Sequence, residues 1–189
     1  MKKTTQIINY EDAVISLMAN KPEKFTIKNF GMEHFRLALK YILNTAEKEI
    51  NWVIYDESLY NQFLTRELYD AIKRFVTDEN KVLRIFICKE MRSSIFRTCL
   101  NNLNKYIKFY PIAISGANSK LEFLIWDNIG YRITVNNKVE EFEAALCAND
   151  VEGAAQLTGK IKNIYEPIKN KKLNIFQKIF NFLFTKKKF

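Results

Sequence analysis

The stretch from Lys120 to Val135, KLEFLIWDNIGYRITV, constrains the fold more than any other part of this chain. Leu121, Phe123 and Ile125 alternate with Glu122, Leu124 and Trp126, which is the period of a strand. In a second run Tyr131, Ile133 and Val135 alternate with Arg132, Thr134 and Asn136. Between the two sits Asp127-Asn128-Ile129-Gly130, where Asn and Gly supply the positive φ of a tight hairpin. Arg132 lies inside an apolar strand, so it has to reach solvent or a carboxylate, with Glu122 across the hairpin as the candidate.

Upstream, apolar periodicity alternates between helix and strand. Glu33 to Ile50 carries Phe35, Ala38, Leu39, Ile42, Ala46 and Ile50 at spacings of three and four, one helical stripe. The run Asn51 to Asp56 follows as a strand suited to burial on both faces. Tyr60 to Thr77 is a second helix and Lys81 to Cys88 a second strand. Ser93 to Asn104 is a third helix, and Tyr106 to Ile114 a third strand. This order implies right-handed crossovers and parallel pairing. After the hairpin, Val139, Phe142 and Leu146 suggest a short helical face. A longer helix runs from Val151 to Ile168, capped by Asn149 or Asp150, with Pro167 at its fraying end. Residues 1–32 are the least legible: a short helix from Tyr10 to Ala19, then a short strand or apolar loop at Phe25, Ile27 and Phe30. The expectation is an α/β fold: a mixed, mostly parallel sheet with helices on both faces, plus a C-terminal amphipathic helix. The divisions are 1–32 as an N-terminal extension, 33–168 as the domain and 169–189 as a basic tail.

Composition narrows the function classes. A chain of 189 residues with 48% hydrophobic residues can build a real core. No apolar run approaches the ~20 residues a membrane-spanning helix needs, and the two lysines at the start precede no apolar signal region. Cys88, Cys99 and Cys147 are odd in number and far apart, which suits reduced thiols in a cytoplasmic protein. No Cys/His cluster has zinc spacing, so no metal and no cofactor is expected. The net charge is +9, but Lys169 to Phe189 hold seven lysines and no acid, leaving +9 − 7 = +2 for residues 1–168. The basicity belongs to the tail.

The hairpin also resembles the active-site segment of the phospholipase D-like superfamily, whose pattern is His, any residue, Lys, four residues, Asp. Asp127 fits the Asp position. Lys120 stands where the His would be, and Glu122 where the Lys would be. The resemblance covers roughly residues 33–168 and rests on element order, Asp127 and the following Tyr131-Arg132. It implies a single phospholipase D-like half with a degenerate motif. Lys120, Glu122, Asp127 and Arg132 are then a remnant phosphate pocket. Such catalysis needs histidines as nucleophile and general acid and a Lys for the phosphate charge. The sole histidine, His34, lies 86 positions before Lys120. From this follows the expectation that the chain is not an enzyme. The family's habit of pairing two halves implies a homodimer.

In the tail, Leu173, Phe176, Ile179, Phe180, Leu183 and Phe184 share one face of a helix. Lys171 and Lys172 precede it, and Lys186, Lys187 and Lys188 follow. From Leu173 to Phe184 such a helix is ~18 Å long at 1.5 Å per residue, too short to cross a ~30 Å hydrocarbon core. It suits the plane of an anionic membrane surface, or docking on a protein partner or on the body. The leading reading is a non-catalytic, cytoplasmic scaffold or sensor, peripheral at the inner membrane surface through this tail. The competing readings are a nucleic-acid-binding module that uses the tail lysines and the degenerate cleft, and a divergent phosphodiesterase.

Overall fold

The computed structural model describes residues 10–16, 24–55, 63–88, 98–112, 121–136 and 143–163. Within these residues a short helix α1 (10–16) precedes β1 (Phe25–Phe30), α2 (Gly31–Thr45), β2 (Glu49–Ile54), α3 (Arg66–Thr77) and β3 (Val82–Cys88). A 3-10 turn at Asn101–Leu103 leads into β4 (Ile107–Ile112). The hairpin strands β5 (Phe123–Trp126) and β6 (Gly130–Asn136), then β7 (Glu143–Ala148) and a last helix α4 (151–163), complete the set.

All seven strands form one sheet in the order β1-β7-β6-β5-β2-β3-β4. Strands β2–β3 and β3–β4 pair in parallel; the other four pairings are antiparallel. The α/β class and the mixed sheet hold, but the expected parallel majority does not. The reason is connection length: helices cross over between β2 and β3, whereas the short links after β5 and β6 allow only antiparallel neighbours.

The sheet is buried from both sides, which explains why its middle strands are apolar without strict alternation. On one face α2 and α3 cover Ile50, Trp52, Ile54, Leu83, Ile85, Leu124 and Trp126. Helix α3 is capped by Thr65, whose hydroxyl accepts the Leu68 N–H at 3.3 Å. On the other face α4 lays Ala154, Leu157 and Ile161 against Val53, Phe86, Ile112, Phe123 and Ile125. Asp150 is the cap of α4, accepting the Gly153 N–H at 3.1 Å.

Three local expectations are corrected. Helix α2 ends at Thr45, not Ile50, and Ile50 is a buried β2 residue. The N–H groups of Glu47, Lys48 and Glu49 donate to the Asp127 carboxylate at 2.7, 2.9 and 2.8 Å, which draws them out of the helix and into the strand start. Residues 143–148 are strand β7, not the continuation of a helical face, because the slot between β1 and β6 outweighs the helix preference of an Ala-rich run. In the hairpin, positive φ belongs to Asp127 (49°) and Asn128 (54°), not to Gly130. Gly130 serves close approach instead: a Cβ there would lie 2.1 Å from Trp126 Cζ2. Of the two readings left open at Phe25, Ile27 and Phe30, a short strand or an apolar loop, the strand forms, as edge strand β1 paired with β7.

Lys120, residues 93–97 of the expected third helix and the whole tail lie outside the described residues; the rest of that helix is a helical turn at 98–99 and the 3-10 turn at Asn101–Leu103.

Candidate functional site

The hairpin register decides which of the expected pocket residues meet. Glu122 precedes β5 at the sheet end where β2 finishes, and its Oε1 accepts the Tyr55 N–H at 3.0 Å. Arg132 is on the same face of β6, opposite Leu124, with Glu122 one step along the diagonal. Asp127 is at the other end of β5. Five residues of extended chain separate it from Glu122, roughly 17 Å at ~3.3 Å per residue. Asp127 therefore belongs to no pocket with Glu122 and Arg132; its carboxylate closes the α2–β2 junction described above. Ordinary turn chemistry places it, and tertiary contact gives it three backbone donors.

Glu122 is 1% exposed and Arg132 2% exposed, so Arg132 does not reach solvent. A guanidinium removed from water is costly unless its hydrogen bonds are met. Its Nε donates to the Asn29 side-chain oxygen at 3.0 Å, while that amide's nitrogen donates to the Ala144 carbonyl at 3.1 Å. Its Nη1 donates to Thr134 Oγ1 at 3.3 Å, and its plane lies over the Phe35 ring, 3.7 Å from the centroid. The layer continues into α1. Tyr10 hydrogen-bonds the Asn29 amide, and its ring stacks on His34 with centroids 4.1 Å apart and planes 3° from parallel. Burial pushes the Tyr10 phenol up to about 12, against the opposing influence of Asn29 and Arg132. His34 Nδ1 accepts the Phe30 N–H at 3.1 Å, so the N-cap of α2 is satisfied by an imidazole rather than by a capping side chain of its own. Burial holds the His34 pKa down, with Glu33 pulling the other way.

The result is a polar layer in which Tyr10, Asn29, Glu122, Arg132 and Thr134 are buried beneath α2 and His34, on α2 itself, is half-buried. It lies toward the carboxyl end of β2, the position at which open α/β sheets hold ligands. Sequence reasoning named Glu122 and Arg132 and missed the rest. Thr134 had a usable signal, a second polar residue two positions from Arg132 and so on the same strand face. Asn29 had a weaker one, a polar residue in phase with Ile27. Nothing local links Tyr10 to Asn29.

Two other clusters are structural. Between α2 and α3 lies a cleft of about 150 Å³ lined by Glu33, Arg36, Leu37, Lys40, Thr65, Glu67 and Leu68. Its charges are matched internally, Arg36 with Glu33 and Lys40 with Glu67. Near α4, Asp150 accepts the Tyr131 hydroxyl at 2.8 Å and pairs with Lys24 at 3.1 Å. Among the described residues no His, Cys, Asp and Glu group is arranged to hold a metal ion, and no helix is long and apolar enough to cross a membrane.

No protein-family model and no curated protein matches the sequence. Solved structures do. NucT from Helicobacter pylori, a nuclease of the phospholipase D superfamily, superposes with a TM-score of 0.56 at 17% identity, over 76% of this chain and 97% of that one. TrmBL2, an archaeal chromatin protein that binds DNA, matches with a TM-score of 0.53 at 18% identity, over 86% of this chain and 61% of that one. Phosphatidylserine synthase from Haemophilus influenzae Rd KW20 matches at 0.48 and 10% identity, over 82% of this chain and 45% of that one. The expectation that the chain is not an enzyme is contradicted here, because an enzyme, the nuclease NucT, shares this fold. At these identities the likeness is one of architecture, and the chain has a phospholipase D-like fold.

Proposed function

We propose that this chain is a phospholipase D-like sensor or scaffold held at an anionic membrane surface by its C-terminal segment. The observation that carries the reading is the tail sequence. Six apolar side chains, Leu173, Phe176, Ile179, Phe180, Leu183 and Phe184, fall on one helical face between two lysine groups. Burial of that face and attraction of Lys171, Lys172, Lys186, Lys187 and Lys188 to lipid headgroups act in the same direction. The described residues support it indirectly, because α2, α3 and α4 already cover both faces of the sheet.

A second reading, nucleic-acid binding, is favoured by two neighbours in fold, the nuclease NucT and the DNA-binding TrmBL2. In this reading the seven tail lysines act as a basic arm. An arm for phosphates has no need of an apolar face, which is why this reading stands second. Paired halves in a homodimer fit either reading.

Co-sedimentation separates them. Full-length protein and a chain ending at residue 168 are mixed with vesicles of phosphatidylglycerol and phosphatidylcholine, with pure phosphatidylcholine, and with double-stranded DNA. The membrane reading expects full-length protein on anionic vesicles alone and the truncated chain on none. Retention by DNA without retention by vesicles would replace it with the second reading. The DNA incubation is also run on a gel, since nicking would establish turnover.

A further inference from the structure

The polar layer is closed on one side by helix α1. Residues 10–16 of helix α1 are described. Two of its side chains enter the core, Tyr10 at 5% and Val14 at 0% exposure, while Ile15 is 43% exposed. The Tyr41 hydroxyl also donates to Glu11 Oε1 at 2.8 Å. What α1 covers is unlike the rest of the core. Under the Tyr10 ring lies a parallel imidazole, at its hydroxyl edge an amide, and behind that amide a guanidinium.

With Tyr10 withdrawn, those groups would bound a flat slot. The His34 ring forms one wall at stacking distance, the Asn29 amide sits at the edge where the phenol oxygen was, and Arg132 adds positive charge behind it. A ligand that replaces Tyr10 must be planar, must stack, and must present a hydrogen-bonding edge to an amide. Arg132 further favours ring carbonyl oxygens over bare carbon. We propose that α1 is a plug, and that the slot it closes between His34, Asn29 and Arg132 takes a nucleobase, either of a free nucleotide or of a single-stranded nucleic acid. Stacking on one aromatic side chain is the usual sequence-tolerant grip on an unpaired base. Tyr10 occupies the slot as an internal competitor, so the apparent affinity is reduced by the fraction of molecules with α1 in place. The inference goes beyond the membrane reading and does not depend on it.

The single histidine makes the test direct, since every imidazole resonance belongs to residue 34. Full-length protein and its Tyr10→Ala variant are titrated with guanosine monophosphate, with an oligodeoxythymidylate, and with ribose 5-phosphate as the base-free control. His34 imidazole proton shifts are followed by NMR. The expected result is a saturable His34 shift with at least one base-bearing probe, about tenfold tighter in Tyr10→Ala than in the unmodified protein, and none with ribose 5-phosphate. A response to the mononucleotide alone assigns the slot to free nucleotides; a response to the oligonucleotide alone or to both assigns it to nucleic acid. Oligonucleotide retention without a His34 shift would overturn the slot and leave nucleic-acid binding standing. A His34 shift equal for ribose 5-phosphate, or no shift with any probe, would also overturn it. Tyr41→Phe loosens α1 by removing the bond to Glu11 and leaves every slot residue in place. It should shift affinity in the same direction by a smaller factor, and covers the case in which Tyr10→Ala does not fold.

Discussion

Asp127 shows how one side chain can look like a motif remnant and act as a fastener. Its carboxylate accepts three backbone N–H groups from the α2–β2 junction. Two of these groups are near solvent and can find water when the carboxylate goes, so Asp127→Ala should cost about 2 kcal/mol rather than the sum of three charged bonds. A urea titration reads this as a lower midpoint at unchanged slope; a change within about 0.5 kcal/mol, the range of ordinary surface substitutions, would show that the contacts are incidental. Gly130→Ala tests a different residue-scale cause. The new methyl would meet the Trp126 ring, which is itself only 4% exposed and has little room to move. About 2 kcal/mol of destabilisation is expected from such overpacking, with a change in Trp fluorescence that Asp127→Ala does not produce.

Two elements depend on titratable groups at their first turns, in separate pH windows. Helix α2 uses neutral His34 to accept the Phe30 N–H. Its folded pKa is held below 6.5, chiefly by burial, so the unfolded chain takes up the proton first. This contribution to stability is complete above pH 6.5 and is lost as pH falls through 6.5 toward the folded value. His34→Phe keeps a ring against Tyr10 and removes the titration. The drop in thermal midpoint between roughly pH 7 and pH 5 should be smaller in the variant than in the parent; an equal drop would show that His34 does not couple to folding. Helix α4 uses ionised Asp150, whose pKa is held below 3.8 first by the Gly153 N–H, then by Tyr131 and Lys24. A depressed carboxylate stabilises above its unfolded pKa, so this contribution is present above pH 3.8 and vanishes as pH falls below it. Asp150→Ala should cost about 1 kcal/mol at neutral pH through the lost cap, and the gap to the parent should close in acid.

For the molecule as a whole, the question is whether the tail belongs to the fold or to a surface outside it. Both faces of the sheet are covered by described helices. Phe176→Glu with Phe180→Glu should therefore leave the cooperative melt intact and abolish vesicle binding even at low salt, because charge in the apolar face opposes insertion. Replacing Lys186, Lys187 and Lys188 by Gln should weaken binding and flatten its salt dependence, since attraction screened by ions is what those lysines add. Loss of the cooperative melt in the double Glu variant would make the tail a core element, and the membrane reading would fail. Light scattering at micromolar concentration tests the homodimer, where a monomer mass would remove it.

The sequence determined what is local or periodic. The hairpin, the stripes of α2 and α3, the apolar runs of β2 and β3 and the Asp150 cap all depend on residues a few positions apart, where repeat and turn chemistry act directly. The tertiary structure decided what depends on partners far along the chain. Helix α2 stops at Thr45 because of a carboxylate about 80 positions later. Residues 143–148 are a strand because β1 and β6 leave a slot between them. Arg132 is tolerated in the core because Asn29, more than 100 positions earlier, brings an amide to its Nε. Such pairings exist only after the sheet has closed, and no periodicity in a single stretch encodes them. The same holds for the candidate site: Glu122 and Arg132 stood out locally as charges among apolar neighbours, while Tyr10, Asn29 and His34 joined them only through the fold.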